Sequence, residues 1–269
     1  MDNMKKYITV LGARGSIPVS GPLFSRFGGA TTSFLLFING QYVILDAGTG
    51  LMNLPSQVMS QDSIPLLLTH AHIDHILGLT MCPYLMKQGA RLDIYMAERG
   101  GMTTEAQVRR LFAPPLWPIV PEQLSGELTF HPLGETMYFG GIRIDALEGV
   151  HPGGVSVLRF CAEGKCIVLA TDCTLTEEFR PRLTHFARNC DLLLCDGQYS
   201  DAEWPTRAGY GHNTWTAAAR FGVDCGAKQM RIVHHDPSHT DAVLEAASME
   251  IQNIHPHCGF AFEGEEIAL

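Results

Sequence analysis

The stretch THAHIDHILGL, residues 69–79, decides how this chain reads. It sets His70, His72, Asp74 and His75 within six positions, directly behind the apolar run IPLLL at 64–68. A short, continuous apolar run reads as a strand covered on both faces. Alternate side chains of an extended segment point the same way, so His70 and His72 face one side if that conformation continues past Leu68. Asp74 and His75 then fall at the expected start of a helix. Ionisable groups at the end of a buried strand are costly unless something pairs with them. Imidazoles and a carboxylate in this spacing are ligands for a first-row divalent ion, and zinc suits them. A lone histidine here would read as a hydrogen-bonded surface residue; three with an aspartate do not. Four such groups can serve one ion from one end of the cluster and a second from the other.

The same criterion, a polar residue closing an apolar strand, picks out three further places. Asp172 follows CIVLAT, His151 follows IDALEGV, and His234 and His235 follow MRIV. Taken singly each has a plain alternative. Asp172 resembles the cap of a turn or helix in DCTLTEE, and His151 the first residue of a turn with Pro152-Gly153-Gly154. They gain weight only jointly, because a hydrolytic site draws its ligands from several strand ends.

The rest of the sequence supplies the frame. TTSFLLFINGQYVILDAGTG reads as a hairpin turning at Asn39-Gly40, and VSVLRFCAEGKCIVLATD as another turning at Glu163-Gly164. YITVL, RLDIYM, CDLLLCD and KQMRIV read as strands. TTEAQVRRLF, part of TEEFRPRLTHFARN, NTWTAAARFGVDCGA and SHTDAVLEAASMEIQNI read as helices. Hairpins followed by strand–helix alternation predict an α/β chain of two sheets with helices outside, a layered αββα sandwich. No composition break divides the halves, so one domain is expected over 1–269. The prolines of APPLWPIVPEQ exclude regular structure there. That Pro-rich loop at 113–121 is expected to cover the site as a lid or to form the contact of a homodimer.

Composition narrows the partners. Apolar residues make up 46% and charged ones 17%, enough for a large core. A net charge of −9 repels phosphate backbones, so long nucleic acid is not an expected partner. A small anion held by a metal remains compatible with it. Eight cysteines, none in a CxxC pair, read as reduced, buried thiols of a cytoplasmic protein. The start, MDNMKKYITVLG, has no signal-peptide core, and no apolar run nears the roughly 20 residues of a membrane helix.

HAHIDH at 70–75 resembles the HxHxDH signature of the metallo-β-lactamase superfamily. DAGTGL at 46–51, GVHPGG, ATDC and RIVHH follow in the order that family keeps. More narrowly, LGARGSIPVSGP, DGQY, GYGHNTW and HHDPSHTD resemble a branch containing ribonuclease Z and phosphodiesterase-like proteins, over essentially the whole chain. The resemblance implies the metallo-β-lactamase fold and two divalent ions, zinc foremost, with manganese or iron(II) admitted by the carboxylates. It implies that His70, His72 and His151 hold the first ion, and Asp74, His75 and one histidine after RIV the second, with Asp172 bridging. His234 is preferred to His235, because it directly follows the strand and alternation sends the two side chains opposite ways. Asp46 is the residue expected to orient a ligand histidine, an Asx turn into GTG being an equal reading. His212 in GHNT becomes a candidate general acid, beside Asp74, which would orient the nucleophile.

The expected function is metal-dependent hydrolysis of a small phosphodiester, such as a cyclic nucleotide or short oligonucleotide, by metal-activated hydroxide. Two alternatives stand beside it: a metallohydrolase of lactams, esters or thioesters, and a metal-bound sensor without turnover. The short, non-basic irregular segment between Asp74 and His151 argues against a docking arm for large RNA. Arg14 in GARGS is a weak candidate for an anion contact. Arg109-Arg110 reads as a solvated helix face, His239 as lining the following helix, and His255 and His257 as structural.

Overall fold

The computed structural model describes residues 6–269, so the first five residues of the start considered above lie outside the described part. In chain order the strands are β1 (Tyr7–Gly12), β2 (Ser33–Ile38), β3 (Gln41–Leu45), β4 (Ser63–Leu67), β5 (Arg91–Met96), β6 (Glu127–Pro132), β7 (Thr136–Phe139), β8 (Ile142–Gly149), β9 (Val155–Ala162), β10 (Lys165–Ala170), β11 (Leu192–Asp196), β12 (Gln229–Val233), β13 (Cys258–Phe260) and β14 (Glu266–Ala268). They form two seven-stranded sheets, ordered β14-β1-β2-β3-β4-β5-β6 and β13-β12-β11-β10-β9-β8-β7. Each sheet is mixed. Antiparallel hairpins give way to parallel strands at β3–β4 in the first and at β10–β11 in the second. The helices are α1 (Ile73–Ile76), α2 (Thr104–Arg109), α3 (Arg180–Phe186), α4 (Trp204–Arg207), α5 (Trp215–Cys225) and α6 (Asp241–Ile254).

Strand periodicity explains the layering. In β2, Phe34 and Leu36 enter the core between the sheets, while Leu35 packs outward in one cluster with Ile44 and Leu66. In β11, Leu192 and Leu194 face the other sheet, while Leu193 and Cys195 face Phe221 of α5 and Leu244 of α6. Both faces of both sheets are therefore apolar, which is why IPLLL and DLLLC read as unbroken apolar runs. The result is the expected αββα sandwich. Asn39 and Glu163 take left-handed φ values of 51° and 49° at the two hairpin turns, each followed by glycine. Thr214 caps α5 by accepting from the Ala217 amide, and Gly226 ends it in the left-handed conformation.

One sequence expectation fails. Cys161 and Cys166 are joined in a disulfide, and only the other six cysteines are free and buried. The two stand directly opposite across β9 and β10, with Cα atoms 4.3 Å apart, so the hairpin itself brings the thiols together. Sequence spacing without a CxxC pair gave no hint of that register. Among the described residues no helix is long and apolar enough to cross a membrane.

Candidate metal centre

The chemistry-bearing residues collect where strands end. His70 and His72 lie just beyond β4, Asp46 beyond β3, His151 beyond β8, Asp172 beyond β10 and His234 beyond β12, and Asp196 closes β11. Asp46, Asp172 and His234 each turn the chain out of its strand through a left-handed φ, at 54°, 53° and 64°. Ser16, whose amide donates to Asp74 Oδ2 at 2.7 Å, has a φ of 63°. Such conformations cost a non-glycine residue energy and persist where the surroundings fix them. Here they aim side chains into one place.

That place holds two donor sets sharing a carboxylate. His70, His72, His151 and Asp172 bring one ligand atom each within 4.8 Å of one another, and so do Asp74, His75, Asp172 and His234. His70 and His151 present Nε2 at 3.8 Å from Asp172 Oδ2, and His151 Nε2 is 3.1 Å from His72 Nδ1. On the other side His75 Nε2 lies 3.3 Å from Asp172 Oδ1 and 3.4 Å from Asp74 Oδ2. His234 Nε2 lies 3.0 Å from Asp74 Oδ2 and 3.2 Å from Asp172 Oδ2.

The far sides of the His70, His75 and His151 rings are tied down. His75 Nδ1 donates to Asp46 Oδ2 at 2.9 Å, and His151 Nδ1 donates to the Gly211 carbonyl at 3.0 Å. Asp46 also accepts from the Thr69 amide and hydroxyl, and that hydroxyl is 3.1 Å from His70 Nδ1. Asp46 therefore does more than turn the chain into GTG: it anchors the HAHIDH loop and one of its imidazoles. Protonating the outer nitrogen leaves a lone pair on the inner one, which is the tautomer a metal requires. His70 Nε2 and His75 Nε2 are buried with no hydrogen-bond partner. Orphaned acceptors of this kind, converging with carboxylates, fit divalent ions well. Two glycines admit this crowding. A Cβ on Gly15 would sit 2.3 Å from the His234 ring, and one on Gly211 2.4 Å from His151 Nδ1.

With this geometry in view, comparison with known proteins is informative. Residues 41–235 match the family described as beta-lactamase superfamily domain. The chain belongs to the beta-lactamase superfamily. A ribonuclease Z of Treponema pallidum is 24% identical over 117 residues, 44% of this chain and 36% of that protein. The match thus spans about a third of that relative's length. Among solved structures, the metallo-beta-lactamase fold protein YhfI of Bacillus subtilis superposes with a TM-score of 0.72 at 19% identity, covering 98% of this chain and 99% of that one. A diphosphatase of the PhnP family gives 0.73 at 17% identity, covering 98% of both. The fold expected from the HAHIDH resemblance is thereby shown.

The electrostatics of this superfamily site divide between the two sets. Burial opposes charge on His75, but Asp172, Asp74 and Asp46 outweigh it and hold its pKa well above the usual value. Burial is likewise overcome at His234, where Asp172 and Asp74 raise the pKa to about 9. Burial would raise Asp74 as well, yet His75 and His234 hold it far below the carboxylate range. His70 goes the other way, pushed well below its usual value by burial and by His75. Protons and metal ions compete for the same lone pairs, and the competition is strongest at His75 and His234.

His212 joins the cluster from the loop before α5. Its Nδ1 donates to Asp196 Oδ2 at 2.7 Å, and its ring stacks on His234 with centroids 4.7 Å apart. Asn213 fixes the loop by donating its amide to Asp196 Oδ1 and its side chain to the Cys173 carbonyl. Asp196 was not singled out from the sequence. The signal was present, since DLLLCD ends an apolar strand on an acid just as CIVLATD does. Asp172, Asp196, His212 and His234 form a third group of converging ligand atoms.

The remaining candidates lie elsewhere. His235 points away from the cluster, donates Nε2–H to the Ala261 carbonyl at 2.8 Å, and packs on Phe260. Arg14 makes no anion site. It is fully buried and donates to the carbonyls of Gly28 and His239, because the first loop must be pinned to the HHDPSH loop. His239 meets Glu203, and His255 donates to the Ala227 carbonyl.

Proposed function

We propose that this chain is a dinuclear metal-dependent hydrolase that cleaves small phosphodiesters. The observation that carries the reading is the pair of donor sets joined at Asp172, flanked by the His212–Asp196 pair. His70, His72, His151 and Asp172 would hold one ion, and Asp74, His75, Asp172 and His234 the other. When bound, two divalent ions supply hydroxide at neutral pH and positive charge for phosphoryl oxygens, zinc being the preferred choice for so many histidines. Asp74, fixed by the Ser16 amide and His234, orients the nucleophile. His212 donates a proton from Nε2 to the leaving oxygen, and Asp196 holds its ring for that task. Partial similarity to ribonuclease Z supports phosphodiester chemistry. The acidic balance supports a small substrate over a long nucleic acid.

The test compares bis-p-nitrophenyl phosphate with nitrocefin and a thioester, using protein purified without chelator. Turnover of the phosphodiester, abolished by metal stripping and by Asp74→Ala in folded protein, is the expected result. Faster turnover of nitrocefin or the thioester would replace this reading with that of a carbonyl hydrolase. No turnover of any of them would favour a sensor.

A further inference from the structure

A cavity of about 630 Å³ opens beside the cluster, with His70 and His72 on its wall. Its position follows from the motif itself. Ile73, between His72 and Asp74, lines it and is 52% exposed. The Pro-rich loop adds Trp117 and Leu116 to the wall, Leu116 being 79% exposed. Met102 and Ile76 complete a surface that is mostly apolar. Large apolar side chains left open around a cavity of this size mark a binding site.

Its few polar groups define the occupant. The Arg99 guanidinium is spent on the Thr69 carbonyl, Ser156 and Glu148. Gln107 donates its side-chain amide to the Ala97 and Met102 carbonyls. The exposed Arg110 guanidinium has no ion-pair or hydrogen-bond partner among the described residues, and with Arg99 it disfavours a cationic ligand. Apart from the exposed Arg110 guanidinium, the apolar wall returns little for the hydrogen bonds to water that a nucleobase edge or sugar would give up. An alkyl or aryl group would lose nothing.

We propose that this cavity seats an uncharged alkyl or aryl ester group, so that the preferred substrates are phosphodiesters with one hydrophobic arm. This rests on the phosphodiesterase reading for the bond cleaved, and on the cavity alone for the arm. It assigns the Pro-rich loop to substrate selection. Ile73, Leu116 and Trp117 become specificity residues, and the arm lies on the His72 side of the cluster.

The test measures kcat/KM for p-nitrophenyl phosphodiesters whose second arm is methyl, hexyl or thymidine. Each buried methylene contributes about fourfold, so hexyl should exceed methyl by at least about tenfold even when partly buried. Thymidine should fall below hexyl. Leu116→Asn, at an exposed position that leaves folding intact, and Trp117→Ala should each shrink the hexyl advantage to about threefold or less. A hexyl-to-methyl ratio near one, a preference for thymidine, or an advantage untouched by both variants would overturn the proposal. Calorimetric binding of hexylphosphonate and methylphosphonate to the metal-loaded protein separates the two readings. If no phosphodiester is cleaved but hexylphosphonate binds at least about tenfold tighter, with the difference lost in Leu116→Asn, the cavity assignment stands and the reaction assignment falls. Equal binding of the two phosphonates defeats the cavity assignment.

Discussion

His212 stands outside the two donor sets joined at Asp172 and is held by a carboxylate. Among the ligand candidates, a carbonyl holds His151, a hydroxyl meets His70 and Asp46 holds His75, while Asp196 meets both the His212 ring and the Asn213 amide. A proton donor needs that orientation more than a ligand does. His212→Ala should lower kcat by roughly 10²-fold with metal content preserved. Asp196→Asn, which keeps the shape and removes the charge, should lower kcat by roughly tenfold with KM little changed, as expected of a positioning residue. Steady-state kinetics with elemental analysis on both variants checks this; an unaltered kcat in His212→Ala removes it from the reaction. At this scale much was legible beforehand. The HAHIDH stretch, His151, Asp172 and His234 could be named from polar residues closing apolar strands. His234 was preferred to His235 because it directly follows the strand, and the two rings meet different partners, Asp74 for His234 and the Ala261 carbonyl for His235. Asp196 met the same criterion and was missed, because the resemblance gave Asp172 in ATDC a bridging role and gave DGQY none. Arg14 was misjudged because burial of a loop arginine leaves no trace in local sequence.

At the scale of elements, the second sheet depends on how β10 and β11 are joined. Asp191, just before β11, accepts the Cys166 amide at 2.8 Å and pairs with Lys228 at 2.8 Å. Burial alone would raise its carboxyl, but Lys228 and the Cys166 N–H outweigh burial and lower the pKa. A depressed folded-state value means the carboxylate stabilises the fold above its ordinary pKa of about 3.9 and loses that contribution as pH falls through the lowered value. Asp191→Asn should therefore cost about 2 kcal/mol near neutrality, and the difference from wild type should shrink as pH falls through the lowered carboxyl value. Urea unfolding at several pH values reads this directly; a deficit that stays constant into acid would contradict it. Hairpins and helices were legible here through turn residues and caps such as Asn39-Gly40 and Thr214. Strands β6, β7 and β14 were not singled out, because their side chains are largely half-exposed or exposed and alternate weakly. The Cys161–Cys166 bond escaped notice because it depends on hairpin register rather than spacing.

The whole molecule is two similarly built sheets packed face to face, with the cluster where their strand ends meet. The first sheet supplies His70, His72, Asp74 and His75 from one stretch, the end of β4 running into α1. The second supplies His151, Asp172, Asp196 and His234 from four separate strand ends. That asymmetry explains why the first group could be read from eleven residues and the second only jointly. It also makes Asp172 the hinge of the account, since it alone belongs to all three groups of converging ligand atoms. The most direct measurement is the metal-to-protein ratio of wild type, His151→Ala and Asp172→Ala, each shown to be folded by circular dichroism. The account predicts about two ions per chain in the wild type, about one in His151→Ala, and less than one in Asp172→Ala. A wild-type ratio of one or below, or an Asp172→Ala protein that keeps the full wild-type complement, would contradict it.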